Sequence, residues 1–515
     1  MSAADLILKN ANVVTMNSTQ PTAELVAIRG NKILLVAGNE ELESVKGART
    51  KVIDCQGKTV VPGFNDAHCH LFSLMRHLLS VDLSPASVST IADIKAAIRH
   101  RTEKTPLGRW ITGVGFNEFY LAEKRYPTRW DIDEVVPDRP VVLSHRSLHA
   151  CVLNSLALSL AGITSETPEP PGAIFARDLN TGEPNGVLYE MLGYIREKVL
   201  SPLTEEELSQ GIALVNGHNL SYGITSLQEA TIVNDLGRWQ TLERFKEAGK
   251  LRSRVSMMFG IEALNQFDEA GLVQGSGDSR LRLGGVKVIV SEATGELRPP
   301  QSELNQQAVR TQQAGFQLAI HAVGQNQVEA AITALEYINE QSSVAKRRHR
   351  IEHCSECPPQ LLERLSKLRA LVVTQPPFLY YSGERYLATL SPSQLQSLYR
   401  IKSFLSSGLT VAASSDCPVV PANPLVGLYG AITRQAASGQ RLLPEECISA
   451  SQALALYTTN AAYSSFEEDI KGSITRGKLA DMVVLSGDPI KSPPEEVKDI
   501  KVEMTIIDGE VVWEA

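Results

Sequence analysis

The chain lacks the marks of several protein classes. Its seven cysteines in 515 residues (Cys55, Cys69, Cys151, Cys354, Cys357, Cys417 and Cys447) are odd in number and irregularly spaced. They outline no disulfide framework and suit a reducing compartment. No run of about 18 apolar residues occurs, so no candidate membrane span is present. The opening "MSAADLILKNANVV" has neither the basic stretch nor the long apolar stretch of a secretory signal. The expectation is a cytoplasmic protein. Basic residues are not in surplus: the formal net charge is −8, which argues against a nucleic-acid partner. The one dense basic cluster, "KRRHR" at 346–350, directly precedes an apolar run and reads as the solvated start of a strand. Low-complexity tracts and short-period repeats are absent as well.

What remains is an ordinary globular composition, 43% apolar and 21% charged, able to bury a full core. At about 150 residues per domain the length allows three domains, or one large barrel with a satellite. The two ends look alike. "ADLILKNANVVTMN", "VAIRGNKILLVAG" and "TKVIDCQGKTVV" open the chain, and "GKLADMVVLSGDP" and "VEMTIIDGEVVWEA" close it. These are short β-branched runs broken by Gly, Asn and Asp, the pattern of strands and turns. They predict one small β domain built from both termini, residues 1–62 and 466–515.

Between them, apolar strands alternate with helical stretches, as in βα units around a parallel sheet. Eight strands are expected: "FNDAHCH" (64–70), "GITSLQE" (223–229), "RVSMMF" (254–259), "GVKVIV" (285–290), "FQLAIHA" (316–322), "HRIEHC" (349–354), "ALVVTQ" (370–375) and "LTVAASSD" (409–416). Eight is the number a TIM barrel needs. The count places a barrel over 63–465, with residues about 72–205 as an insertion after the first strand. The insertion is Pro-rich at "SETPEPPGAIF" and holds its own strand candidates, "WITGVGF" and "RPVVLSH".

His68 and His70 lie two apart in "VVPGFNDAHCHLF", among only ten histidines. On a strand they face the same side, and at the carboxyl end of a barrel strand that side opens on the mouth. Two converging imidazoles make a metal-ligand pair. By itself an HxH pair is as readily structural. His321, His353 and Asp416 each close a further apolar run, and barrel enzymes draw their functional groups from the ends of several strands. Lys287 lies inside the apolar run "GVKVIV", where an ammonium is costly to bury. A buried lysine shifts toward the neutral amine, which can add carbon dioxide to become a carbamate. The plain alternative is a lysine that snorkels to solvent.

Along nearly its whole length the chain resembles the amidohydrolase superfamily, in its family 3 branch of YtcJ-like metal-dependent hydrolases. The resemblance rests on "VVPGFNDAHCH", "GAIFARDLNTGEPNGVLYE", "GITSLQEA", "GVKVIV", "AIHAVGQNQV", "RIEHC", "SSDCPV" and "GSITRGKLADMVVL". It implies a distorted (β/α)8 barrel, class α/β, with a small β-sandwich domain formed by both termini. It implies metal ligands at His68 and His70 (strand one), Lys287 when carboxylated (strand four), His321 (strand five), His353 (strand six) and Asp416 (strand eight). The chain departs from its relatives in two loops. "SEATGE" follows the lysine where relatives carry an Asp-Gly-Ser-type loop, and "SLH", ending at His149, stands where they often carry Asp-Gly-His. His149 and Glu292 are the candidate substrate-binding residues; His149 is as readily a packing residue of the cap, and Glu292 is more readily a solvated loop glutamate.

The implied cofactor is a divalent metal, zinc above all, as one ion or two, with CO2-derived carboxylation of Lys287 open. The implied reaction is hydrolysis of a carbon–nitrogen bond in a small non-peptide amide. Asp416 would be the general base and acid, with His353 or His321 either a ligand or a group that orients the carbonyl. An ester or lactone hydrolase, a deaminase and a non-catalytic scaffold are the alternatives, and a homo-oligomer is left open. "CSEC", Cys354 to Cys357, suggests thiol exchange or half of a structural zinc site, but no second pair has the spacing to complete one. Small buried hydrophobes are the simpler reading.

Overall fold

The computed structural model describes residues 3–170, 172–195, 199–200, 203–292, 295–341 and 345–515. It separates into two compact units: one takes in the chain up to His70, Asn216–Glu292 and Glu296–Ala515, and the other Leu71–Val215.

The centre of the first unit is an eight-stranded sheet whose strands follow one another in chain order: Phe64–Cys69, Ile224–Glu229, Arg254–Gly260, Leu281–Ile289, Leu318–Ala322, Arg350–His353, Leu371–Thr374 and Val411–Ala413. Neighbours pair in parallel throughout. Each strand overlaps one of the eight apolar runs, and the fold is an α/β barrel. Past its last paired residue the eighth strand returns to the first: the Asp416 amide donates to the His68 carbonyl (2.9 Å) and the His70 amide to the Cys417 carbonyl (2.8 Å). Those bonds close the ring at its carboxyl end. Gly63 lets the first strand enter, because a Cβ there would meet the Thr225 side chain at 2.1 Å. The Pro-Gly break is thus a close approach between strands one and two.

One helix outside the ring is strongly amphipathic. Pro359–Leu368 starts with proline in its first turn, buries Leu361, Leu365 and Leu368 along one stripe, and ends where Arg369 turns left-handed at φ 51°. Each of those leucines contributes roughly 2 kcal/mol by leaving water.

Strands from the two ends of the chain share a sheet. Thr59–Pro62 pairs antiparallel with Met482–Leu485, within a six-stranded sheet that also holds Val502–Ile507 and Asn12–Val14. A four-stranded sheet of Lys32–Ala37, Leu25–Arg29, Leu6–Lys9 and Lys51–Asp54 lies in the same unit. Leu8, Val26, Ile28, Val60, Met482 and Ile506 belong to one apolar cluster. A buried ion pair pins this layer to the barrel. Arg254 opens strand three and is 1% exposed; it forks onto the two oxygens of Asp481 at 2.6 and 2.9 Å.

The second unit has its own six-stranded sheet, in the order Ile174–Arg177, Pro184–Tyr189, Ala150–Leu153, Val141–His145, Ile111–Phe116 and Val81–Asp82.

One expectation is corrected. "KRRHR" is not a wholly solvated strand start: Lys346 and Arg347 are exposed, but His349 and Arg350 are buried. Arg350 goes inside because a buried carboxylate, Glu352, needs it. His349 goes inside as a neutral ring. Its Nδ1 accepts the Leu318 amide at 2.9 Å, and Nε2 faces Gln312 Oε1 at 3.2 Å.

Burial, helped by the nearby Arg347 charge, pushes His349 down to about 4. Its pKa unfolded is about 6.5, so between those values the unfolded chain takes up a proton that the folded chain refuses. The stabilisation is therefore complete above about pH 6.5 and is lost as pH falls toward 4, on the order of 3 kcal/mol in all. Urea unfolding of the chain and of His349→Gln across that range measures it. The variant should lose stability less steeply on acidification, and parallel curves would remove His349 from the acid response.

Candidate active site

The candidate residues gather at the carboxyl end of the barrel because each terminates or follows a different strand. His68 and His70 come from the end of strand one, and their rings lie 5.2 Å apart. His321 sits on strand five in register with Ile289 and Glu352. His353 ends strand six, and its ring lies 4.9 Å from His68 and 4.3 Å from His321. Asp416 follows strand eight. His353 and Asp416 both hold left-handed backbone, at φ 69° and 57°, a conformation uncommon outside glycine. At His353 it breaks the strict alternation of the strand. The ring can then reach the His68 ring although Glu352, one residue earlier, reaches the same histidine.

Three donor atoms converge: His68 Nε2, His70 Nε2 and Asp416 Oδ1 all lie within 4.8 Å of one another. Asp416 Oδ1 is 3.0 Å from His70 Nε2 and 3.5 Å from His68 Nε2, yet no well-aligned hydrogen bond reaches it. The other ring nitrogens explain why. His68 Nδ1 bonds Glu352 Oε2, an acceptor when ionised, so Nδ1 carries the proton and Nε2 is bare. His70 Nδ1 bonds Thr231 Oγ1 at 2.9 Å. Thr231 is held in turn, its amide donating to Glu229 at 3.0 Å. His353 Nδ1 bonds Gln375 Oε1 at 2.9 Å, and Gln375 donates to Ser414 at 3.0 Å. His353 Nε2 is buried without a hydrogen-bond partner. Imidazole nitrogens facing a carboxylate oxygen at this range suit a cation among them; His68 Nε2 already has the Lys287 Nζ at 3.4 Å, and a proton or a metal ion can serve between the rings and Asp416. The donor set of nitrogen and oxygen atoms fits a divalent metal such as zinc. The hydrogen bonds behind each ring are the outer-shell arrangement that metal-binding histidines use.

The electrostatics agree. Burial is the largest effect on His68 and, with Lys287 beside it, pushes the ring down to about 3, neutral at any working pH. Burial also lowers His353. Burial alone would raise Asp416, but His70, His353 and His68 outweigh it and hold the carboxyl well below its usual range. Glu352 has no exposed surface. Burial would raise it as well, and Arg350, His68 and Lys287 together hold it ionised. Asp66 lies behind the site, bonded to the Ser415 amide at 3.1 Å and the His68 amide at 3.2 Å. Burial raises it to about 6.

Lys287 does not snorkel. It is 1% exposed, its Nζ lies 3.4 Å from His68 Nε2, and burial lowers it to about 8. The structure thus brings Lys287, His68, His70, His321, His353 and Asp416 to one place, with His321 and His353 beside the cluster of three donors rather than inside it. Glu292, in the same unit, is half-buried and accepts from Asn326 Nδ2 at 2.8 Å. His149 belongs to the second unit, exposed, with Nδ1 3.0 Å from Glu190 Oε1.

Sequence reading missed Glu352, Arg350, Thr231 and Gln375. Two opposite charges two apart in the four-residue strand "RIEH" were the available signal, since same-face charges inside a buried strand must answer each other. Thr231 and Gln375 carried none. "CSEC" is not a thiol-exchange pair. Cys354 and Cys357 are fully buried, and their mutual hydrogen bond, with burial, raises the Cys354 thiol far above the reactive range. All seven cysteines are free thiols.

Comparison with known proteins agrees with this geometry. The chain is 29% identical to the N-substituted formamide deformylase of Arthrobacter pascens, covering 99% of this chain and 98% of that protein. It is 26% identical to the putative amidohydrolase YtcJ of Bacillus subtilis, covering 98% of each. Among solved structures, an uncharacterized metal-dependent hydrolase from Pyrococcus furiosus superposes with a TM-score of 0.73 at 27% identity, covering 94% of this chain and 100% of that one. The family model described as the amidohydrolase family matches residues 51–513. The chain therefore belongs to the amidohydrolase family and is a hydrolase of carbon–nitrogen bonds other than peptide bonds.

Proposed function

We propose that the protein hydrolyses a small non-peptide amide, an N-formyl or N-acyl amine or a cyclic amide, at a divalent metal site. Zinc is the metal that its donors suit best. The convergence of His68 Nε2, His70 Nε2 and Asp416 Oδ1 within 4.8 Å carries this reading. His353 Nε2, bare and buried, and the adjacent His321 complete the ligand set. Because His353 commits its Nδ1 proton to Gln375, it serves as a ligand rather than as a donor to the substrate carbonyl. When bound, the metal supplies Lewis acidity toward the carbonyl and toward water.

The chain's own residues do the rest. Asp416, held ionised by its histidine neighbours, takes the proton of the attacking water. It then returns that proton to the leaving nitrogen, which departs as a neutral amine. Glu352 keeps the His68 proton on Nδ1, and Thr231 and Gln375 aim His70 and His353. Lys287, lowered to about 8, has a neutral amine fraction near pH 7. Its nitrogen can bond to CO2 with loss of a proton, giving a carbamate beside His68 that would offer oxygen donors to a metal. His149 and Glu292 are offered as substrate contacts, at the two loops where the sequence departs from its relatives. The likeness to a formamide deformylase supports N-formyl amines as the first substrates to try.

Elemental mass spectrometry on protein purified without chelators should find at least one divalent ion per chain, lost in His68→Ala and Asp416→Ala. A drop from about two equivalents to one in Lys287→Ala would assign Lys287 to a second ion. No metal even after incubation with zinc would overturn the proposal. Glu352→Gln frees the His68 proton and should weaken metal affinity roughly 10- to 100-fold, read by competition with a chromogenic chelator. Formate release from an N-alkylformamide should depend on metal and fall by about 10²–10⁴ in kcat in Asp416→Asn. Activity on esters but not on any amide would remove the carbon–nitrogen assignment.

A further inference from the structure

The second unit holds a cavity of about 210 Å³, and every described residue that lines it lies between Arg76 and Gln210. We propose that it binds a small organic oxyanion, a carboxylate carried on a short apolar body, at a site separate from the barrel chemistry.

The walls come from the pleat of the sheet. Thr112 and Val114 on one strand, and Val142 and Ser144 on its neighbour, line the cavity. They are residues i and i+2 of adjacent strands, so they share a face. The intervening positions serve the other face, where Ile111, Val141 and Leu143 belong to the apolar core. The cavity face is therefore a built surface with hydroxyls and methyl groups side by side, and Trp110 beside it offers a flat apolar contact.

Charge selects the ligand. Arg76, Arg101 and Arg109 line the cavity, with Glu207 as the one acidic lining residue among those described. Glu207 is already engaged on both oxygens. Oε1 takes Arg109 at 3.3 Å, and Oε2 takes the Thr204 amide at 2.8 Å, at the start of the helix Glu205–Ser221. Arg101 donates to a neutral group, the Leu79 carbonyl, at 2.9 Å. Among the described lining residues three guanidiniums thus stand against one carboxylate, in a chain whose net charge is −8. Guanidinium groups match carboxylate geometry with paired donors. Size limits the rest of the ligand: 210 Å³ lies below the roughly 300 Å³ at which drug-sized pockets begin.

Isothermal titration with benzoate tests this on the full-length protein, with benzamide as the neutral isostere and inorganic phosphate as the bare oxyanion. Benzoate should bind and benzamide should not. Arg101→Gln should weaken benzoate at least about tenfold, the loss of one charge-assisted bond. Ser144→Val, which fills the cavity from a strand, should weaken it as much through a different wall. Phosphate that displaces benzoate, with the same dependence on Arg101, would keep the site and widen it to oxyanions in general. Equal binding of benzamide, or no benzoate binding up to about 10 mM, would overturn the proposal. So would benzoate binding that survives Arg101→Gln and Ser144→Val but vanishes in Asp416→Ala, since that places the anion at the barrel mouth.

Discussion

Glu352 is a carboxylate with no contact with water. An ion in such a place must be answered in full by its neighbours, because its desolvation would otherwise cost several kcal/mol. Two groups bond to it, Arg350, two residues earlier on the same strand face, and the Nδ1–H of His68 from strand one, with the Lys287 charge nearby. Arg350 is held in turn by the Gln228 side chain of strand two and the Ala67 carbonyl of strand one. One buried charge thus ties strands one, two and six together across the ring. It also decides which nitrogen of His68 is bare. The carboxyl-end chemistry inherits its geometry from this requirement of the core.

The closure of the ring works the same way. Strand eight ends where Ser415 and Asp416 turn back on strand one. Asp66 fixes that turn by accepting the Ser415 amide, and the Asp416 amide donates to the His68 carbonyl. The left-handed backbone at Asp416 and at His353 is strain held where the chain has two anchors on each side. Strain of this kind, of order 1–3 kcal/mol per residue, persists only where the surroundings over-determine it. Its coincidence with two of the residues that end barrel strands is what a preorganised site requires.

The barrel was legible in the sequence because its strands are buried on both faces and therefore run apolar without alternation, while the helices between them keep a stripe. The polar residues that interrupt those runs (His68, Lys287, His321, His353 and Asp416) stood out for the same reason, and the structure gathers them. The second tier was harder to read. Glu352 and Arg350 neighbour a flagged histidine, but local patterning assigned the cluster "KRRHR" to solvent. Only the fold shows that His349 and Arg350 turn inward. Thr231 and Gln375 are polar residues just past strand ends, a position that many residues share without a role. Within the insertion "WITGVGF" and "RPVVLSH" were legible as strands, but the two loops that depart from the family pattern stayed unread, since hydrogen bonds such as His149 to Glu190 and Asn326 to Glu292 join segments far apart in the chain.

Charge balance links the lysine to the metal. With Lys287 as an ammonium, its charge and that of Arg350 face the buried carboxylates of Glu352 and Asp416, with Asp66 and Glu229 buried nearby, and the ammonium opposes a further cation in this enclosure of low dielectric. If Lys287 gives up its proton, the enclosure becomes more negative by one charge. If it then takes up CO2 as a carbamate, the enclosure becomes more negative by one charge again, which favours a divalent ion. The lowering of Lys287 to about 8 brings the first of these steps within reach near neutral pH. On the proposed reading, proton loss from Lys287 and cation binding at His68, His70 and Asp416 would be two halves of one equilibrium. The fully buried Glu352 and Arg350 leave that balance unchanged because they neutralise each other.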